Sequence, residues 1–138
     1  KQYKVSYLHF EELIANCKFI VLLLPLTKKS KHLFTKRIFQ KMRDDSFLIN
    51  VARGKIIKEV DLVDALVKKK IAGAALDVFE NEPNIERKLL SLKNVVLMPH
   101  AGSATDVARL AMMKLACSNL TDYLIKGELN NLVNKDLR

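Results

Sequence analysis

The sequence has no long apolar run and very few cysteines, and these absences exclude several classes of protein. Its longest apolar stretch, FIVLLLPL at 19–26, is much shorter than the roughly 20 residues of a membrane-spanning helix. Cys17 and Cys117 lie far apart, and with three scattered histidines they fit neither a disulfide framework nor a zinc site. The chain also opens without a signal-peptide pattern. We predict a cytoplasmic protein with no membrane segment and no metal.

Aromatic residues are missing around the lysine clusters, although the chain carries a net charge of +9. The clusters are KKSK at 28–31 and KKK at 68–70, and neither is interleaved with the stacking platforms that single-stranded nucleic acid requires. The second cluster lies at the end of a predicted helix, where cations interact favourably with the helix dipole. We predict a solvated lysine-rich surface and no nucleic-acid partner; a polyanion site is the alternative.

What the sequence does contain is typical of a soluble domain, with 49% hydrophobic and 28% charged residues in 138 positions. Four short apolar runs predict strands at 19–24, 46–51, 71–76 and 94–98. These runs show no alternation of polar and apolar residues. They therefore predict a parallel sheet that is covered on both faces.

Helical patterns separate the predicted strands, at 9–16, 35–42 and 59–69, and a longer helix runs from Thr105 to about Lys126. On the third helix we expect one apolar face built from the following side chains: Val60, Val63 and Val67, with Leu62 and Leu66 beside them. The alternation of strand and helix predicts an open α/β sheet with right-handed crossovers.

Capping residues mark the ends of the long helix. Ser103 followed by Asp106 resembles a capping box at its start. Gly127 stands where a helix C-cap belongs.

Each predicted strand is followed by a polar or glycine-bearing loop. The loops are PLT at 25–27, ARG at 52–54, the acidic segment that begins at Asp77, and PHAGS at 99–103. Because ligands of open α/β sheets bind beyond the carboxyl ends of the strands, we expect these loops to form one site.

Three residues of these loops could carry chemistry: Arg53, Glu82 and His100. An arginine fork matches a carboxylate in charge and geometry, and a His–Glu pair can move a proton near neutral pH. Taken singly, each residue has a structural alternative. His100 could cap the long helix, and Glu82 could be a surface residue before Pro83.

The same residues lie in segments that resemble the D-isomer-specific 2-hydroxyacid dehydrogenases. The segments are ANCKFIVLLLPLTKKSKHLF (15–34), INVARGKIIKEVDLVDAL (49–66), IAGAALDVFENEP (71–83) and VVLMPHAGSAT (95–105). Their order and spacing also resemble the family, and together they cover nearly the whole chain.

The resemblance implies roles for individual residues. Arg53 would bind the substrate carboxylate, His100 would be the acid/base, and Glu82 would stabilise and orient the protonated imidazole. NAD or NADP would be the cofactor, and its nicotinamide and ribose would meet a wider set: Leu24, Val51, Ala52, Arg53, Asp77, His100, Ala101, Gly102 and Ser103.

The resemblance also implies a Rossmann-like doubly wound sheet, of which this chain is the C-terminal portion. Residues 1–104 would be a partial NAD(P)-binding domain, and 105–138 a long helix and tail leading back to a substrate domain. None of the four glycines forms the G-x-G-x-x-G motif that cradles a pyrophosphate. We therefore expect a piece of a longer enzyme that forms a homodimer when complete.

The implied reaction is hydride transfer between NAD(P)H and C2 of a small D-2-hydroxy or 2-oxo acid. Glyoxylate, hydroxypyruvate and 3-phosphoglycerate are the substrates of the leading family members. A dinucleotide-sensing binding module of corepressor type is the alternative, because such proteins keep the fold and the three residues.

Overall fold

The computed structural model describes residues 5–134. Residues 1–4 and 135–138, the outer ends of the predicted segments 1–104 and 105–138, lie outside the described residues. The chain forms two compact units, Lys1–His100 and Ala101–Arg138.

The first unit contains a sheet of four parallel strands in the order β1-β2-β3-β4. The strands are Phe19–Leu22 (β1), Phe47–Asn50 (β2), Gly73–Leu76 (β3) and Val95–Leu97 (β4). This confirms the α/β class, and it places all four carboxyl ends at the same edge. Each strand is shorter than its apolar run predicted: β1 ends two residues earlier, β3 begins two residues later, and β2 and β4 are one residue shorter at each end.

Among the described residues of the first unit, only one face of this sheet is covered. In β1, Ile20 and Leu22 are buried, whereas Phe19 is 63% and Val21 51% exposed. On the open face the rings of Phe19 and Phe47 stack with 5.4 Å between their centroids. The prediction that both faces are covered is therefore wrong for this part of the chain. An unbroken apolar run does not distinguish one covered face from two.

Three helices belong to the same unit: Phe10–Asn16 (α1), Lys36–Phe39 (α2) and Glu59–Val67 (α3). The second of these is much shorter than the predicted 35–42.

The buried face of α3 differs from the predicted one. Leu62, Val63 and Leu66 enter the core, but Val60 and Val67 are 55% and 59% exposed. The helix is rotated so that Glu59, and not Val60, shares the buried face.

A 3₁₀ turn between β2 and α3, Gly54–Ile56, was not predicted from the sequence. Ile56 and Ile57 are buried in the core, and the backbone of Gly54 lies directly against the backbone of Phe79. A Cβ atom at position 54 would come within 1.9 Å of the Phe79 carbonyl group. The turn can therefore sit against the loop after β3 only because residue 54 has no side chain. A second unpredicted 3₁₀ turn spans Arg87–Ser91.

The second unit contains one long helix, Asp106–Lys126 (α4). Its N-cap is Thr105, whose side chain accepts a hydrogen bond from Ala108 N at 3.2 Å, so the predicted capping role of Ser103 is wrong. Gly127 does form the C-cap, with a left-handed φ of 70°. Between residues 5 and 134, neither α4 nor any other helix is long and apolar enough to cross a membrane.

We expect Gly54→Ala to lower the free energy of unfolding by at least about 3 kcal/mol, because the added methyl group meets backbone that cannot rotate away. Gly127→Ala is the matched control, since nothing lies within 4 Å of a Cβ there and only the left-handed conformation is disfavoured. That control should lose only about 1 kcal/mol. Urea unfolding of both variants of the full-length protein measures the difference, and equal losses would contradict the close approach.

Candidate active site

The turn that carries Arg53 is closed by a buried amide. Asn50, the last residue of β2, has 0% exposure. Its Oδ1 accepts a hydrogen bond from Ala52 N, and its Nδ2 donates to Arg53 O, both at 3.1 Å. Its main-chain oxygen accepts from Asp77 N, which joins the ends of β2 and β3. No role for Asn50 was predicted from the sequence, although a polar amide at the end of an apolar strand is a signal for such a turn.

Arg53 is exposed at the carboxyl end of the sheet. Its Nη1 donates to the oxygen of the preceding residue, Ala52, at 2.6 Å. This contact fixes one side of the guanidinium and leaves four of its five N–H donors for other partners. Among residues 5–134, no carboxylate lies within 4.0 Å of it. The arrangement suits an anion from outside this unit.

Glu82 and His100 form a hydrogen-bonded pair. His100 Nδ1 and Glu82 Oε2 are 2.8 Å apart, and Glu82 Oε1 accepts from Phe79 N at 2.8 Å. The hydrogen bond with His100, followed by the one from the Phe79 amide, holds the pKa of the Glu82 carboxyl below its ordinary value. The carboxylate is therefore ionised at neutral pH, and its contact with Nδ1 leaves Nε2 as the ring nitrogen available for proton transfer.

These three residues line a single cavity of about 460 Å³ within the first unit. The other residues that line it are Leu26, Gly54, Lys55, Phe79, Glu80 and Asn81. The structure thus brings together a guanidinium group and a hydrogen-bonded His–Glu pair from three separate loops. Chemically, such a cavity can hold an anion and exchange a proton with it.

Of the predicted cofactor residues in the first unit, Arg53 and His100 line this cavity, and the others lie at the same sheet edge but outside it. Leu24 packs partly against the core, and Ala52 is 8% exposed. Asp77 and Val51 directly follow their strands, and the apolar side chain of Val51 remains 47% exposed. An exposed apolar side chain beside the cavity fits the flat ring of a nicotinamide. Residues suited to a pyrophosphate are not evident, since the sequence holds no G-x-G-x-x-G motif.

Ala101, Gly102 and Ser103 belong to the second unit. There the oxygen of Ala101 accepts a hydrogen bond from Ala104 N at 3.0 Å, which forms a turn before α4. Their predicted contact with the cofactor stays a prediction.

A second His–Glu pair, also missed by the sequence analysis, lies beside the first. His32 Nε2 and Glu80 Oε1 are 2.6 Å apart, and Glu80 also exchanges hydrogen bonds with the buried Glu59. The available signal was weak, because the three residues come from segments 21 to 48 positions apart.

Residues 1–102 match the family model described as D-isomer specific 2-hydroxyacid dehydrogenase, NAD binding domain. The glyoxylate reductase of Thermococcus litoralis is 46% identical over 133 residues, which cover 96% of this chain and 40% of that protein. Glyoxylate/hydroxypyruvate reductase B of Escherichia coli O6:H1 is 40% identical over 135 residues, or 97% of this chain and 42% of the relative.

Solved structures show the same similarity. A glyoxylate reductase from Paecilomyes thermophila superposes with a TM-score of 0.84 at 37% identity, over 95% of this chain and 40% of that one. The NADPH-dependent glyoxylate/hydroxypyruvate reductase of Sinorhizobium meliloti, solved with NADP and malonate, gives 0.81 at 38% identity, over 87% and 38%.

This chain spans about 40% of the length of these relatives. Its fold is that of Rossmann-type dehydrogenases, as the structural neighbours show. The family match covers most of the sequence, and the two curated relatives are 46% and 40% identical over nearly all of it. The chain belongs to the D-isomer-specific 2-hydroxyacid dehydrogenase family, and residues 1–102 correspond to its NAD-binding domain.

Proposed function

We propose that the full-length protein reduces a small 2-oxo acid to a D-2-hydroxy acid with NADH or NADPH, and that glyoxylate or hydroxypyruvate is the substrate. The observation that carries this proposal is the shared cavity, which is lined by Arg53 and by the hydrogen-bonded Glu82–His100 pair. Relatives named as glyoxylate and hydroxypyruvate reductases support the choice of substrate.

Arg53 binds the carboxylate of the acid in this proposal. A planar guanidinium forms two parallel hydrogen bonds to a carboxylate, so it fixes the orientation of the acid as well as its charge. Its Nη1 contact with Ala52 O restricts the side chain before the substrate arrives. The reactive carbonyl next to the carboxylate is thereby held in one position relative to His100.

His100 transfers the proton. When bound, a reduced nicotinamide supplies the hydride that adds to C2 of the acid, and the carbonyl oxygen becomes an alkoxide. Protonated His100 donates from Nε2 to this oxygen, and the product is the neutral hydroxyl. Glu82 holds the ring by Nδ1 and stabilises the positive charge of the imidazolium before the proton leaves.

Leu24, Val51, Ala52 and Asp77 are proposed to hold the nicotinamide and its ribose. The cofactor contacts predicted for Ala101, Gly102 and Ser103 are a separate part of the proposal. Val51 offers apolar surface for the ring at the end of β2. The proposal also includes a homodimer of the full-length protein, in which residues outside this chain surround the pyrophosphate.

The test is oxidation of NADH or NADPH by the full-length protein, followed over minutes as the loss of absorbance of the reduced dinucleotide. The acids to be compared are glyoxylate, hydroxypyruvate, 3-phosphohydroxypyruvate and pyruvate, each with both dinucleotides. Rapid turnover of one or two acids supports the proposal. Tight binding of the dinucleotide without turnover of any acid would instead indicate the binding module of corepressor type.

The first prediction concerns the guanidinium of Arg53. Lysine keeps the positive charge but loses the planar fork, so Arg53→Lys should raise KM for the 2-oxo acid roughly tenfold to a hundredfold. KM for the dinucleotide should change little. Arg37→Lys, at an exposed position on α2, is the matched control and should leave both constants unchanged. Parental KM in Arg53→Lys would remove Arg53 from substrate binding.

The second prediction concerns the pH dependence of Glu82→Gln. The pKa of Glu82 lies below its ordinary value because the carboxylate and His100 stabilise each other, and the carboxylate is lost only as pH falls through that lowered pKa. Glutamine removes this stabilisation of the imidazolium over the whole neutral range. The alkaline limb of kcat/KM for reduction should therefore move to lower pH, and the acid limb for oxidation should move the same way.

Both limbs must be measured in the full-length enzyme. Glu86→Gln is the matched control, because it removes the same charge from the same loop without a hydrogen bond to His100. Its limbs should not move. If the limbs of Glu82→Gln also stay in place, Glu82 has no part in proton transfer.

A further inference from the structure

His32, Glu59 and Glu80 form a cluster beside the cavity. His32 comes from the loop after β1, Glu59 begins α3, and Glu80 follows β3. His32 Nε2 lies 2.6 Å from Glu80 Oε1. Glu59 N donates to Glu80 Oε2 at 2.9 Å, and Glu80 N donates in return to Glu59 Oε1 at 2.5 Å. The cluster therefore ties three segments together through six polar atoms.

The same three segments enclose the 3₁₀ turn Gly54–Ile56. The backbone of His32 donates to Lys55 O at 2.8 Å, and Phe34 N donates to Ile56 O at 3.1 Å. Gly54 also lies against the main chain of Phe79, the residue before Glu80. The turn directly follows Arg53, so the backbone next to Arg53 is held by contacts with two other segments.

The cluster costs folding free energy, because it buries a carboxyl group and includes an unfavourable backbone conformation. Glu59 is only 6% exposed, and its burial, together with the nearby Glu80 carboxylate, raises the pKa of its carboxyl. His32 has a left-handed φ of 49°, a backbone conformation that is unfavourable for most residues other than glycine. Apolar side chains often stabilise such a position at least as well as buried charges do.

The polar groups of the cluster are nevertheless all used. Among the described residues, no buried side-chain nitrogen or oxygen lacks a partner. Within residues 5–134, no group of histidine, cysteine and acidic side chains is arranged to hold a metal ion, this cluster included. A precise set of hydrogen bonds, and not a ligand site, is what the cluster provides.

Glu80 links these hydrogen bonds to the cavity proposed to hold the substrate. It lines the cavity together with Arg53, and it lies two residues before Glu82, in the loop whose Phe79 N also binds Glu82. The cluster thus fixes the Arg53 turn and the Glu82 loop to the same α3 terminus. Displacement of either one changes the distance between the carboxylate-binding group and the proton donor.

We propose that His32, Glu59 and Glu80 are positioning residues that hold Arg53 at the correct place for the substrate carboxylate. The inference rests on the proposed function, because it assumes that Arg53 binds the acid. A misplacement of about 1 Å at a binding group reduces catalytic efficiency up to roughly a hundredfold. The effect reaches the substrate through Arg53, since none of the three residues needs to touch the acid itself.

Glu80→Ala in the full-length enzyme tests the proposal. We expect KM for the 2-oxo acid to rise roughly tenfold or more, while the pH limbs stay in place because the Glu82–His100 pair is retained. Glu80→Gln should keep near-parental KM, since its amide still accepts from Glu59 N and can donate to a neutral imidazole. Glu11→Ala is the control, because it removes a carboxylate from an exposed ion pair of the same 2.6 Å length with Lys41.

The KM value separates positioning from simple stability. A purely structural role would reduce the folded, active fraction and so lower the apparent kcat, with KM unchanged; that result would overturn the proposal. If Glu80→Ala does not fold, His32→Asn replaces it. Asparagine tolerates the left-handed backbone but is too short for the Glu80 contact, and its KM should rise in the same direction.

Limited digestion with trypsin gives a readout that needs no substrate. Release of the turn should speed cleavage after Arg53 and Lys55 in Glu80→Ala and His32→Asn, but not in Glu11→Ala. If the parent enzyme turns over no 2-oxo acid, the proposed function fails. The cleavage pattern alone then decides whether the cluster holds the turn in place. Cleavage at the parental rate would then overturn the positioning role.

Discussion

The backbone contact between Gly54 and Phe79 determines the geometry of the candidate active site. It brings the turn after β2 against the loop after β3, with no side chain between them. Arg53 precedes this contact by one residue, and Glu82 follows it by three. Because both ends of the contact are main chain, their separation is insensitive to side-chain rotation. The contact therefore fixes the separation between the backbone of Arg53 and the backbone of the Glu82 loop.

Two carboxyl groups of this region, those of Glu82 and Glu59, have opposite environments. Glu82 lies at the surface of the cavity, and the hydrogen bond from His100 lowers its pKa. Glu59 is buried, and desolvation raises its pKa. One carboxyl is thus maintained as an anion beside the imidazole, and the other is used mainly as a hydrogen-bonding group inside the protein. Such a division of environments is how a single fold assigns different roles to chemically identical side chains.

Much of this architecture could be predicted from the sequence. Apolar runs separated by helical patterns specify parallel strands, and strand ends specify where Arg53, Glu82 and His100 converge. Of the residues that were missed, Asn50 bonds to its own turn, and a polar residue at the end of an apolar run was a signal for it. The cluster around Glu80, in contrast, acts through contacts with distant segments. No local pattern records such contacts. The uncovered face of the sheet and the cap at Thr105 were misjudged for a related reason, since several arrangements fit the same local sequence.

The hydrogen bonds of Glu82 also place a strict demand on the length of that side chain. One oxygen reaches back to the Phe79 amide, and the other reaches across to the imidazole of His100. The two donors belong to different loops, so the carboxylate connects these loops through its two hydrogen bonds. Aspartate has the same charge and acidity but is one methylene shorter, and from the same backbone it would reach only one donor. Position 82 therefore selects for side-chain reach as much as for chemistry.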